Sequence, residues 1–240
     1  MSTFDNLLWT GILMPIERST YKDHVVKYIY DGMRENRYKA GDKILESHMA
    51  KELGISRAPI REALADLVRS GLLEYRPQVG NFVTSLSSKE LIDSYIARGV
   101  LEGFAVAQGI ESFTEEELKQ LEEMAHKMGT FARDGKHKAL IDIGQEFHEK
   151  LFSHCTNGQV VLFTEQLSLK LHLLFYKHWA RVYSPEEICD RHLELIDAVR
   201  KKDPVLLEQV FRSHYFDTGH KIVEQEKQPL TQLKATTDDN

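Results

Sequence analysis

Apolar side chains recur at helical spacing along most of this chain. Val25, Tyr28, Ile29 and Met33 mark one face of a segment running from Tyr21 to Glu35, with Asn36 as its stop and a turn at Ala40-Gly41-Asp42. Met49, Ala50 and Leu53 do the same for Glu46–Leu53, and Ile60, Leu64, Leu67 and Val68 for the helix after Ser56. Two short runs, Leu72–Tyr75 and Asn81–Thr84, flank Arg76-Pro-Gln-Val-Gly80 and predict a hairpin with Gly80 in its loop. From Ser87 onward the period is helical throughout, and segments 88–109, 114–133, 137–154, 159–181, 185–201 and 204–225 are read as helices. Ser87 with Glu90, Thr114 with Glu117, and Ser184 with Glu187 have capping-box spacing. Gly109, Gly135, Asn157-Gly158 and Asp203-Pro204 separate the segments. The expected fold is mainly α: an N-terminal winged helix-turn-helix with a small β wing, followed by a C-terminal all-α antiparallel helical bundle. The expected division is an arm over 1–19, the winged helix over 20–86, the bundle over 87–226 and a mobile tail over 227–240.

The stretch Gly54-Ile-Ser-Arg-Ala-Pro-Ile-Arg61 carries the most specific chemistry. Gly54 suits a turn, Ser56 is a good N-cap, and Pro59 sits in the first turn, where a missing N–H does no harm. Arg57 and Arg61 lie one turn apart at the start of the helix, off its apolar face. A helix entering a DNA major groove N-terminus first needs that arrangement. Salt bridges on a solvated face are the plainer alternative.

Charge modifies this picture. The chain of 240 residues has a formal net charge of −6, unevenly placed. Residues 17–86 hold 12 Lys and Arg against 10 Asp and Glu, whereas residues 87–240 hold 19 against 26. DNA binding is then expected to rely on charge at a helix end and wing, to be salt-sensitive, and to exclude the acidic bundle. No apolar stretch is long enough for a membrane span, and the N-terminus lacks the basic start of a secretory signal. Leu7, Leu8, Trp9, Ile12, Leu13 and Met14 are read as packing on the body. Two cysteines, Cys155 and Cys189, make no disulfide framework and fit a reducing cytoplasm.

In the bundle, His148 shares a stripe with Ile141, Leu151 and Phe152; His192 with Leu195, Ile196 and Val199; His214 with Leu207, Val210 and Phe211. Three inward imidazoles from three helices can ligate a divalent transition metal if they converge. Periodicity does not show convergence, and a histidine on an apolar stripe also serves as a core residue bonded to a carbonyl. Arg98, among Leu91, Tyr95, Leu101 and Ala105, is expected at a cavity wall, where a guanidinium holds a carboxylate through two parallel bonds. Glu102, one turn on, is its alternative resting partner. Tyr95, Tyr176, His178 and Trp179 are expected either to shape the pocket or to pack in the core.

The string G-I-S-R-A-P-I-R-E-A-L, followed by G-L-L and G-N-F-V, resembles the DNA-binding domain of the GntR family of bacterial transcription regulators over residues 20–86. The resemblance implies DNA contacts by Ser56, Arg57 and Arg61. It also places Ala58 where the family usually has Thr, and Gly80 at a wing tip near the minor groove. Arg98-Gly-Val-Leu-Glu102, Phe147-His148, Asn157, the stretch from His192 to Asp203 and Arg212-Ser-His214 resemble the FCD ligand-binding domain of the FadR subfamily. Many members hold a metal such as zinc or nickel through three His and an Asp or Asn one turn before the first. Here that position is Gly144, with Gln145 as a weak substitute. Arg98 occupies a position that often meets the effector, implying a small organic acid such as a hydroxy or sugar acid. The expectation is a cytoplasmic homodimeric repressor, not an enzyme, on a double-stranded DNA operator. The alternatives are a metal-dependent hydrolase using the three histidines and a ligand-independent dimeric DNA binder.

Overall fold

The computed structural model describes residues 20–35 and 37–227, except for the side chains of residues 169 and 172–180. The predicted arm, the stop at Asn36, the tail beyond Lys227, and the side chains of His172, Tyr176, His178 and Trp179 lie outside the described residues.

Helix α1 (Tyr21–Arg34) opens with a capping box: Thr20 accepts from the Asp23 backbone and the Asp23 carboxylate accepts from that of Thr20. Helix α2 (Glu46–Leu53) ends at Gly54, whose φ of 64° is the left-handed conformation that lets the chain turn tightly into α3 (Arg57–Arg69). The wing pairs β2 (Leu73–Arg76) with β3 (Gly80–Val83), Leu73 opposite Val83 and Arg76 opposite Gly80. A short strand β1 (Lys43–Ile44), which the hydrophobic pattern does not predict, pairs with the other edge of β3 and makes the antiparallel order β1-β3-β2. Two residues are too few to show an alternating pattern, so only the pairing reveals them. Val25, Ile29, Met49, Ile60, Leu64, Leu67, Leu73 and Val83 close a small core between these elements.

The rest is helical: α4 (Ser88–Gln108), a single 3-10 turn (Ile110–Ser112), α5 (Glu115–Arg133), α6 (His137–Leu151), α7 (Gly158–Val182), α8 (Pro185–Arg200) and α9 (Pro204–Lys227). All three predicted capping boxes form, at Ser87, Thr114 and Ser184. Helix α9 runs on to Lys227, a residue expected in the tail. Helix α4 packs on α9 and α7, and α5 on α6 and α8, around a second and larger core. The α4–α9 contact is unusually close. A Cβ at Gly99 would lie 3.1 Å from Arg212 Cα and 3.2 Å from the Phe211 carbonyl oxygen, and one at Gly103 would lie 3.1 Å from Phe211 Cβ. On the facing helix, a Cβ at Gly219 would meet Tyr95 Cβ at 2.9 Å. Helix α1 touches α7, and Arg34 reaches Asp142 of α6 at 3.7 Å, joining the winged helix to the bundle. Both cysteines are free, and no helix among the described residues is long and apolar enough to cross a membrane.

Because backbone atoms face Gly99, a branched side chain there cannot be accommodated by a rotamer change. Gly99→Val is expected to lower stability by about 1–3 kcal/mol through overpacking, read from the midpoint of urea unfolding.

Candidate functional site

Helices α6, α8 and α9 bring His148, His192 and His214 together. One ligand-capable atom from each lies within 4.8 Å of the others. The ring centroids are 5.5 Å apart for His148 and His192, 5.7 Å for His148 and His214, and 5.3 Å for His192 and His214. The rings border a cavity of about 40 Å³, whose wall also includes Tyr95, Arg98, Arg191 and Tyr215. That is room for a few water-sized groups, at roughly 10–15 Å³ of such space per water.

Two of the three imidazoles are held from behind by ring hydrogen bonds. His192 Nδ1 donates to the Ile188 carbonyl oxygen at 2.6 Å, which leaves Nε2 with its lone pair. His148 Nδ1 faces the Glu102 carboxylate and the Tyr215 hydroxyl, the latter at 2.9 Å. The α9 backbone around His214 is anchored by Arg191, which donates to the His214 carbonyl oxygen at 2.6 Å. Burial, reinforced by neighbouring His148, lowers the His192 pKa to about 3. Burial and His192 together push that of His214 well below the usual range. Both rings are therefore neutral at physiological pH, the form that binds metal.

The donor set fits a divalent transition ion. Three nitrogens about 2.1 Å from one ion stand roughly 3.4 Å apart, so modest ring rotations close the cluster. Gly144 is buried one turn before His148 and offers no ligand. Gln145 does not line the cavity, and its amide donates to Glu149 at 2.7 Å. His148, His192 and His214 would hold such an ion, and any further ligand would come from water or an anion.

Arg98 is 1% exposed and lines the cavity, in line with its expected place on the wall. Its resting partner is Glu102, Nε to Oε2 at 3.3 Å, and its guanidinium carbon lies 4.5 Å from the Tyr215 ring centre. Among the described residues, Nη1 of Arg98 is buried without a hydrogen-bond partner. Burial pushes the Glu102 carboxyl up, but His148 and Arg98 outweigh it and hold its pKa below the ordinary value. Tyr215 and Arg191 are site residues that the sequence does not single out. Each adjoins a site histidine in the chain, but neither the apolar period nor any spacing rule distinguishes it.

At the other end of the chain, Ser56 occupies the N-cap position of α3 with extended backbone, but its side chain makes no capping bond. Ser56, Arg57, Ala58 and Arg61 are all exposed at that helix start. No ion pair or hydrogen bond engages the Arg57 side chain among the described residues. Arg61 bonds Glu46 of α2 at 2.9 Å, so the plainer salt-bridge reading holds for this arginine in the free protein. Gly80 is not in the wing loop. It opens β3 opposite Arg76, and Pro77, Gln78 and Val79 form the exposed tip.

The comparisons with known proteins agree with this architecture. Residues 21–83 match the description "Bacterial regulatory proteins, gntR family", and residues 93–217 match the FCD domain. The uncharacterized HTH-type transcriptional regulator YdhC of Bacillus subtilis is 30% identical over 199 residues, spanning 81% of this chain and 86% of that protein. The HTH-type transcriptional repressor RspR of Escherichia coli K12 is 25% identical over 183 residues, spanning 76% of this chain and 80% of that one. Among solved structures, E. coli McbR/YncC has the same fold, with a TM-score of 0.70 at 21% identity over 87% of this chain and 99% of that one. These relatives are regulators of transcription rather than enzymes. With a winged helix-turn-helix joined to a bundle carrying the FCD match, this chain belongs to the GntR family of bacterial transcription regulators.

Proposed function

We propose that this chain is a homodimeric repressor whose grip on a palindromic operator is set by a small carboxylate-bearing metabolite, bound with a divalent metal in the helical domain. The observation that carries the sensor half is the shared cavity: three imidazoles on one wall and a buried guanidinium with a spare N–H on another. An ion on the imidazoles leaves positions for an anion, and Arg98 supplies the donor that an acid's second oxygen needs. Repression is favoured by relatives described as repressors, among them RspR and the probable D-xylose utilization operon repressor of Paenarthrobacter nicotinovorans. The effector acts by binding the DNA-competent and DNA-incompetent arrangements with different affinity.

For the reader, Ser56, Arg57, Ala58 and Arg61 form the leading end of α3 in the major groove, and the wing tip at Pro77, Gln78 and Val79, next to Gly80, approaches the adjacent groove. Arg61 exchanges Glu46 for DNA on binding. Arg57→Ala and Arg61→Ala are each expected to weaken operator binding by about 1–3 kcal/mol, or to flatten the salt dependence by about one counterion where the contact is to phosphate. Titrations of fluorescent operator at several salt concentrations, on variants with unchanged circular dichroism, check this. Wild-type affinity and salt slope in both variants would refute the assignment.

For the metal, zinc is expected to raise the melting temperature of chelator-treated protein, with His192→Ala removing the response. A small hydroxy or sugar acid is expected to add a second increment that Arg98→Ala abolishes. Thermal-shift assays accompanied by elemental analysis read both effects.

For the dimer, Ile96, Val100 and Phe104 form a stripe on α4 that is 40%, 44% and 38% exposed, and Leu162 and Phe163 of α7, the latter near Leu101 of α4, are exposed as well. A twofold contact through this face suits a protein that reads two half-sites. Val100→Glu is expected to give a folded monomer by light scattering. A dimer of wild-type affinity would place the contact elsewhere.

A further inference from the structure

Two acceptors face Nδ1 of His148. One is Glu102 Oε1, and the other is the Tyr215 hydroxyl oxygen, whose own hydrogen is directed to Glu102 Oε2 at 2.7 Å. A neutral ring between two acceptors must carry its proton on Nδ1, which leaves the lone pair on Nε2. Glu102 is also the one fully buried carboxylate among the described residues. An ion held by three neutral imidazoles would otherwise share its cavity wall with two guanidinium groups, Arg98 and Arg191, and no acidic side chain.

We propose that Glu102 is the positioning residue of the metal site, fixing His148 as the Nδ1–H tautomer with Nε2 as ligand and supplying the buried negative charge that a three-imidazole ion lacks. The proposal rests on the metal reading given above. Carboxylate–histidine–metal relays of this kind orient the ring and raise its basicity as a ligand. The same carboxylate ties the acid-binding side to the metal side. It bonds Arg98 through a single long contact of 3.3 Å, and its firmer partners are His148 and Tyr215. Glu102 therefore keeps Arg98 in place without consuming the guanidinium's remaining donors, consistent with the unpartnered Nη1.

The test uses the full-length chain labelled with nitrogen-15 at histidine, stripped of metal and held near pH 8. Two-bond nitrogen–proton spectra are expected to report the Nδ1–H tautomer for His148 in wild type and the Nε2–H tautomer in Glu102→Gln, whose amide can donate to Nδ1. Competition with a chromophoric chelator is expected to show zinc affinity about 10–100-fold lower in Glu102→Gln. Glu102→Asp, which keeps the charge, should recover part of that loss. A wild-type ring protonated on Nε2, or on both nitrogens, overturns the proposal. So does a folded Glu102→Gln that binds zinc within about threefold of wild type. Should Glu102→Gln fail to fold, the wild-type tautomer and Glu102→Asp still decide. Zinc affinity equal in wild type and His192→Ala would instead defeat the three-histidine reading, and the tautomer spectrum would then decide by itself whether Glu102 orients the ring.

Discussion

The whole cavity of the bundle depends on how closely α4 and α9 approach each other. Gly99 and Gly103 let the α4 backbone come against Phe211 and Arg212, and Gly219 does the same for α9 against Tyr95. This approach puts Glu102 and Arg98, carried by α4, within reach of Tyr215 and beside His214, carried by α9. Separate the two helices by the thickness of a methyl group and the Tyr215–Glu102 hydrogen bond stretches out of range. The small residues thus set the distance scale on which every polar contact in the cavity is built.

A cost follows from burying so much polarity. Glu102, Arg98 and His148 are withdrawn from water together, and charge burial of this kind stabilises little in itself. A hydrocarbon core of equal volume would fold at least as well. What the polar cluster contributes is a cavity in which His192 and His214 stay neutral and the Arg98 guanidinium stays charged. Burial suppresses protonation of His192 and His214; it also works against the charge on Arg98, which neighbouring Tyr215 and Glu102 more than restore.

The helices, their capping boxes and the wing are legible in the sequence because local rules govern them. A Ser or Thr three residues before a Glu, or Gly54 between two amphipathic runs, specifies a boundary without knowledge of the rest of the chain. Strand β1 is not legible, since Lys43 and Ile44 become a strand only by pairing with Phe82 and Asn81. In the cavity, the inward faces of His148, His192 and His214 follow from period, but their convergence does not, because it is set by how α6, α8 and α9 cross. Tyr215 and Arg191 are hidden for the same reason: their roles come from atoms on other helices. The Arg61–Glu46 pair shows a different limit, because an exposed guanidinium fits both a DNA contact and an ion pair until a neighbouring helix is placed.

The tie between the winged helix and the bundle has its own consequence. Arg34 and Asp142 meet at 3.7 Å with 24% and 46% of their side chains exposed, and an ion pair so open to solvent is worth on the order of 0–1 kcal/mol. That is comparable with thermal energy itself. The winged helix is thus moored lightly at this point, on the same helix α6 that presents His148 on its opposite, inward side. A contact this weak fixes little of the angle between the winged helix and the bundle on its own.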